Sequence, residues 1–132
     1  MPPFEELIQE TGKLLGIAMT TDKRNACKLK FEKLAVTLQI DLSPDGERFL
    51  VVSEVGEAPP EGHLRERFFR ACLKFNGVHQ ERGIFAYSER KEVLVSFRFF
   101  YVNAMTAEKL SSFLKTFVAD VRNVFRENNF EL

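Results

Sequence analysis

The sequence predicts an α+β fold of order αβββαββα, an antiparallel twisted sheet packed with helices. Three observations carry this. Two long segments place apolar residues at helical spacing, at 4–15 and 110–125; several short segments between them alternate apolar and polar residues with a period of two; and turn chemistry separates these blocks. With 132 residues the chain makes one domain, 1–132, large enough to bury a core without disulfide or metal staples.

The first helix opens on Pro2 and Pro3, where a missing N–H costs a helix nothing, and puts Phe4, Leu7, Ile8, Thr11, Leu14 and Leu15 on one stripe, with Gly16 as its stop. "KLKF" at 28–31 is a first strand. "LAVTLQIDL" at 34–42 sends Leu34, Val36, Leu38, Ile40 and Leu42 inward. "SPDG" turns the chain into "RFLVVSEV" at 48–55, where Leu50 and Val52 are read as inward and Phe49 and Val51 as outward. A second helix, "HLRERFFRACLKFN", ends at Asn76-Gly77. "GIFAYS" at 83–88 and "EVLVSFRFFYV" at 92–102 form a second hairpin. Val93, Val95, Phe97, Phe99 and Tyr101 read as the core face of its longer strand, and Leu94, Ser96, Arg98, Phe100 and Val102 as a face that something else must cover. Thr106 caps the last helix, whose stripe runs from Leu110 through Phe113, Leu114, Phe117, Val118 and Val121 to Val124 and Phe125.

On helix two, Leu64, Phe68, Ala71, Cys72 and Phe75 span about 100°, and Phe69 and Leu73 widen the apolar arc to roughly 200°, more than one sheet can cover. Either the helix is wedged between its own sheet and a loop, or, the reading preferred, Phe69 and Leu73 of two copies meet in a homodimer seam, joined by the strands at 84–88 (Phe85, Tyr87) and 92–102 (Phe100).

Several functions are disfavoured by the residues present. Nineteen basic and nineteen acidic residues cancel, so no global field selects nucleic acid or an anionic membrane. In "RERFFRACLK" the helical period separates aromatics from cations, which cannot then grip one nucleic-acid strand together. His63 and His79 read as exposed loop residues, and no catalytic or phosphate-binding motif occurs, so neither an enzyme nor a cofactor or metal is expected. Cys27 and Cys72 lack metal spacing and read as buried free thiols, which fits a reducing, cytoplasmic compartment. No segment reads as a signal peptide or as a membrane-inserting span.

The register of "LLGI", "CKLKFEKLAVTLQIDL", "GERFLVVSEVGEAPP", "LRERFFRACLKFN", "GIFAYSERKEVLVSFRFFY" and "LSSFLKTFVADVRNVF" resembles, over nearly the full length, the class I type III secretion chaperones, the bacterial proteins related to the chaperone of the translocated intimin receptor. Members are clearly acidic, whereas this chain is neutral and richer in Phe on helix two. The resemblance implies a cytoplasmic, non-enzymatic homodimer of a Gram-negative bacterium. It would hold an extended segment near the N-terminus of a secreted effector and keep it export-competent, with the secretion ATPase or sorting platform as a further partner. A cation-rich first strand (Lys28, Lys30, Lys33) suits an edge that accepts a client strand, with Leu29, Phe31, Phe49 and Val51 receiving client side chains and Phe4 and Ile8 closing the groove; Leu29, Phe31, Phe4 and Ile8 read at least as well as plain core, so Phe49 and Val51 are the sharper test. The alternatives are a binder of small apolar ligands in a Phe-lined cavity, or a regulatory dimerisation module of the same fold.

Overall fold

The computed structural model describes residues 3–127, with side chains described through residue 123. Helix α1 (Pro3–Leu15) leads into strands β1 (Ala26–Phe31), β2 (Val36–Leu42) and β3 (Arg48–Glu57). Helix α2 (His63–Val78) and a short turn of 3-10 helix (Gln80–Arg82) precede β4 (Ile84–Ser88) and β5 (Val93–Tyr101), and α3 (Ala107–Glu127) closes the chain. The strands form one antiparallel sheet in the order β1-β2-β3-β5-β4. Helices α1 and α3 pack on each other, with α3 against β2 and β3, while α2 lies against β4.

Local signals explain the boundaries. Gly16, at φ 72°, ends α1: its N–H donates to the Lys13 carbonyl (3.3 Å) and that of Ile17 to the Gly12 carbonyl (3.0 Å), a paired closure that favours glycine at the left-handed position. Thr106 caps α3, its hydroxyl oxygen accepting from the Lys109 N–H at 3.2 Å. Helix α2 runs past Asn76-Gly77 to Val78, because Asn76 serves β4 rather than the helix end. Its Nδ2 donates to the Phe85 carbonyl (2.9 Å) and its Oδ1 accepts from the Phe85 N–H (2.8 Å).

The core face is not the one that alternation within β3 and β5 suggests. Phe49 and Val51 are fully buried, and Leu50 and Val52 turn to the other face. Likewise Leu94, Ser96 and Val102 are buried, while Phe99 and Tyr101 are 52% and 61% exposed. Both strands carry apolar side chains on both faces, so their own pattern cannot choose. Cross-strand pairing does: Ile40 lies opposite Val51 and Leu42 opposite Phe49, and Phe49, Val51 and Ser53 lie opposite Phe100, Arg98 and Ser96. Directly paired residues share a face, so the inward set of β2 fixes the other two strands. Phe100 is therefore half-buried within the chain's own core, its ring 5.5 Å from that of Phe49 and 4.8 Å from that of Phe113, with the Arg98 guanidinium 4.6 Å above it. The core rings continue through Phe4 against Phe49 (5.7 Å) and Phe113 against Phe117 (5.3 Å), so these Phe side chains pack on one another. Leu14, assigned to the α1 stripe, is half exposed. Val124 and Phe125, assigned to the α3 stripe, lie outside the described side chains.

Candidate protein-binding surfaces

The outer face of the sheet is apolar where β3, β5 and β4 lie side by side. Leu50, Val52, Val95, Phe97, Ile84 and Ala86 are half-buried there, and Phe99 and Tyr101 stand clear. The Arg48 guanidinium sits 5.5 Å over the Phe99 ring and leaves the rest of that ring open. The stripe Val93, Val95, Phe97, Phe99, Tyr101 was legible in the sequence, but as core. It is instead a large apolar surface of the single chain.

Helix α2 offers a second surface. Leu73 is 70% and Leu64 67% exposed, and Val78 also projects, whereas Cys72 and Phe75 are buried. Phe69 is half-buried, its ring 5.2 Å from Tyr87 of β4, and the Arg65 guanidinium covers both rings at 5.9 and 5.5 Å. The Arg65 Nε donates to the Pro59 carbonyl at 2.8 Å, which fixes that cover. Of the residues assigned to a seam, Phe69 and Tyr87 thus meet within one chain and Leu73 projects beside them. Phe85 does not reach the surface: it is buried with its ring 5.0 Å from Phe75. Leu64 and Val78 were missed because both fall in or beside the arc read as sheet-facing, and only the helix's position at the sheet margin leaves them bare.

The third surface is the edge strand β1. Its start is tied down, since the Asp22 N–H donates to the Ala26 carbonyl at 2.8 Å, and Asp22 Oδ1 accepts from the N–H groups of Arg24 (2.8 Å) and Ala26 (3.1 Å). Those bonds, that from Ala26 foremost, hold the Asp22 carboxyl below its ordinary value. Beyond it Lys28 and Lys30 are exposed at the rim. The groove residues proposed from sequence lie beneath this rim rather than on it: Phe4, Ile8, Leu29, Phe49 and Val51 are all buried in the core, and Phe31 is half-buried at the strand's end. For Phe4, Ile8 and Leu29 this is the core alternative; Phe49 and Val51 are the correction, since alternation within β3 says nothing of which face α1 and α3 cover.

The polar groups do not converge. His63 is exposed at the first turn of α2; His79, expected in solvent, instead lies tilted against Phe75, ring centres 5.3 Å apart, with its Nε2 buried. Arg82 forms a two-point ion pair with Asp120, its Nε 2.9 Å from Oδ2 and its Nη2 on Oδ1, which ties the 3-10 turn to α3. Cys27 and Cys72 are buried free thiols; burial raises both, and Cys72 is pushed up to about 12. Among the described residues no group of His, Cys, Asp and Glu could hold a metal ion, and no helix is long and apolar enough to cross a membrane.

No curated protein matches this chain in sequence. In structure it is similar to a chain of the HopA1–SchA chaperone–effector complex (TM-score 0.74, 10% identity, 93% of this chain and 93% of that one). It is similar too to a chain of the ExsC–ExsE complex (TM-score 0.72, 20% identity, 93% and 91%). A third is a chain of the heterodimeric ExoU–SpcU complex from the type III secretion system of Pseudomonas aeruginosa (TM-score 0.71, 13% identity, 92% and 99%). At these identities the likeness shows the fold. Residues 6–124 match the sequence pattern of the Tir chaperone protein (CesT) family, and the chain belongs to that family.

Proposed function

We propose that the chain is a non-enzymatic type III secretion chaperone that holds an extended segment near the N-terminus of a secreted effector and keeps it export-competent. The family match over residues 6–124 carries this reading. The described surfaces support it: a rimmed edge strand, an apolar sheet face and a bare helix side are means of holding polypeptide. The cost of ordering the client is offset by the area it buries.

The working unit in this reading is a cytoplasmic homodimer. Its seam combines Leu73 and the rim of Phe69 and Tyr87 with the outer face bearing Phe99 and Tyr101, while Phe85 and Phe100 support these from within. The client runs along β1, whose Lys28 and Lys30 stand at the sheet edge beside Phe31. Leu29 anchors that strand in the buried core with Phe4 and Ile8, and Phe49 and Val51 extend the core two strands further in, on β3. The loaded dimer is then handed to the secretion ATPase or sorting platform.

The test is co-expression with the polypeptide encoded beside this chain, followed by limited proteolysis. A stable complex in which an N-terminal client segment is protected and the remainder keeps its own fold is the expected result. A neighbour that is neither bound nor protected, together with a rise in melting temperature on adding small apolar compounds, would replace the chaperone with a ligand binder.

A further inference from the structure

The chain's overall neutrality conceals a segregation of charge. Between positions 22 and 33 stand five cations, Lys23, Arg24, Lys28, Lys30 and Lys33, against two acids, Asp22 and Glu32. That leaves fourteen of the nineteen basic and seventeen of the nineteen acidic residues elsewhere, so this one segment is basic and the remainder acidic. All five cations are exposed. Lys28 lies opposite Gln39, Lys30 opposite Thr37, and Gln39 opposite Val52. Both lysines therefore project from the outer face of the sheet at its β1 edge, about 7 Å apart along the strand. Lys23 and Arg24 extend the patch before β1, and Lys33 extends it in the turn that follows.

Among the described residues none of these five cations forms an ion pair, whereas the exposed Arg70 and Lys91 hold Glu66 at 2.8 Å and Glu54 at 3.0 Å. Two carboxylates beside the patch are engaged elsewhere. Asp22 Oδ1 accepts from the N–H groups of Ala26 and Arg24, and these bonds do more than the charges of Lys28 and Arg24 to hold that carboxyl low. Both oxygens of Asp41 accept from Gln39 Nε2, at 2.8 and 2.9 Å. Edge lysines also keep a sheet from pairing with other copies of itself. That duty accounts for Lys28 and Lys30 alone, since Lys23, Arg24 and Lys33 lie outside β1, where there is no strand edge to guard. A row of cations without a counter-charge in its own chain suits a partner that brings one.

We propose that the client segment seated along β1 is acidic, with carboxylates at alternate positions meeting Lys28 and Lys30 and further ones meeting Lys33 at one end and Lys23 and Arg24 at the other. The inference rests on the chaperone reading and adds to it the chemistry by which clients are told apart, whichever way the segment's main chain is held. Apolar contacts rank segments by bulk, and a line of unpaired cations rejects a basic segment of the same bulk. A nucleic acid is a poor occupant, because the patch presents no exposed aromatic ring between its cations: Leu29 is buried, and Phe31 is half-buried at the strand's end.

The test uses the full chain, isotopically labelled, and three soluble peptides of equal length in which valine alternates with glutamate, with glutamine or with lysine. The glutamate peptide is expected to move the backbone amide signals of Lys28, Lys30 and Lys33. At low salt it should bind about tenfold more tightly than the glutamine peptide, an advantage that fades by about 0.5 M salt. Lys28→Glu with Lys30→Glu should turn the preference towards the lysine peptide. Lys109→Glu with Lys115→Glu, the same change of net charge at exposed positions of α3, should leave it as it was. Equal binding of the glutamate and glutamine peptides overturns the proposal and leaves the lysines as guards of the edge. A preference untouched by the β1 variant, or moved as far by the α3 variant, overturns it too, as do signals that stay still up to millimolar peptide. So does a thymidine oligonucleotide that binds as tightly as the glutamate peptide, which would assign the patch to polyanions at large. Co-expression with the neighbouring gene's product separates the two readings. A complex that the β1 variant forms as well as the wild type removes the acidic client and keeps the chaperone, whereas absence of a wild-type complex removes the chaperone and leaves the charge preference to the peptides.

Discussion

A Cβ on Gly83 would stand 3.0 Å from Ser96 Oγ and 3.2 Å from the Phe117 ring, at a φ of +128° that other residues rarely adopt. Gly83→Ala is therefore expected to lower stability by about 2–4 kcal/mol, read from the midpoint of chemical denaturation. Phe49 gives the sharper contrast. Read as an outward residue from β3 alone, it is fully buried between Phe4 and Phe100, and Phe49→Ala should cost about 3–5 kcal/mol. Tyr101→Ser on the outer face should stay within about 1 kcal/mol in the same measurement. Cys72 adds a pH signature. Burial raises its thiol from 9.0 to about 12, so folding keeps it protonated where the unfolded chain releases the proton. Below 9.0 the group leaves stability unchanged, and stability falls as pH rises from 9.0 towards 12. Cys72→Ala should flatten that part of the stability profile.

Among the elements, those with a single apolar face were legible and those with two were not. Strand β2 alternates cleanly, and its inward Val36, Leu38 and Ile40 are buried as read. Strands β3 and β5 are apolar on both sides, so their orientation depends on partners distant in sequence. On α2 the excess apolar arc was visible, but whether Leu64 or Leu73 is bare depends on where the helix sits on the sheet. The ion pair between the 3-10 turn and α3 could not be read at all, since Arg82 and Asp120 are remote in sequence and nothing local marks either. Asp120 is almost wholly buried, so Asp120→Ala leaves the Arg82 guanidinium without its carboxylate and should cost about 3 kcal/mol in thermal or chemical unfolding.

At the scale of the whole molecule, the sequence contains the area of the apolar surface but not its location, because which face of β3, β5 and α2 stays bare depends on how distant elements pack. If the outer face and α2 form the seam, Leu73→Asp together with Tyr101→Asp should convert a dimer to a monomer at micromolar concentration in sedimentation while leaving the fold intact, an effect of at least about 2 kcal/mol on association. A wild-type monomer at that concentration would remove the seam. The clamp of Asn76 on Phe85 bears on how such an assembly carries load. One side chain holds both polar atoms of one peptide position, so a pull on α2 passes directly into the main chain of β4, then by the ladders into β5 and β3. Tension applied through a docked partner would thus travel along main-chain hydrogen bonds and reach the β3 bulge, where the register of the β3–β5 ladder shifts between Glu54 and Gly56.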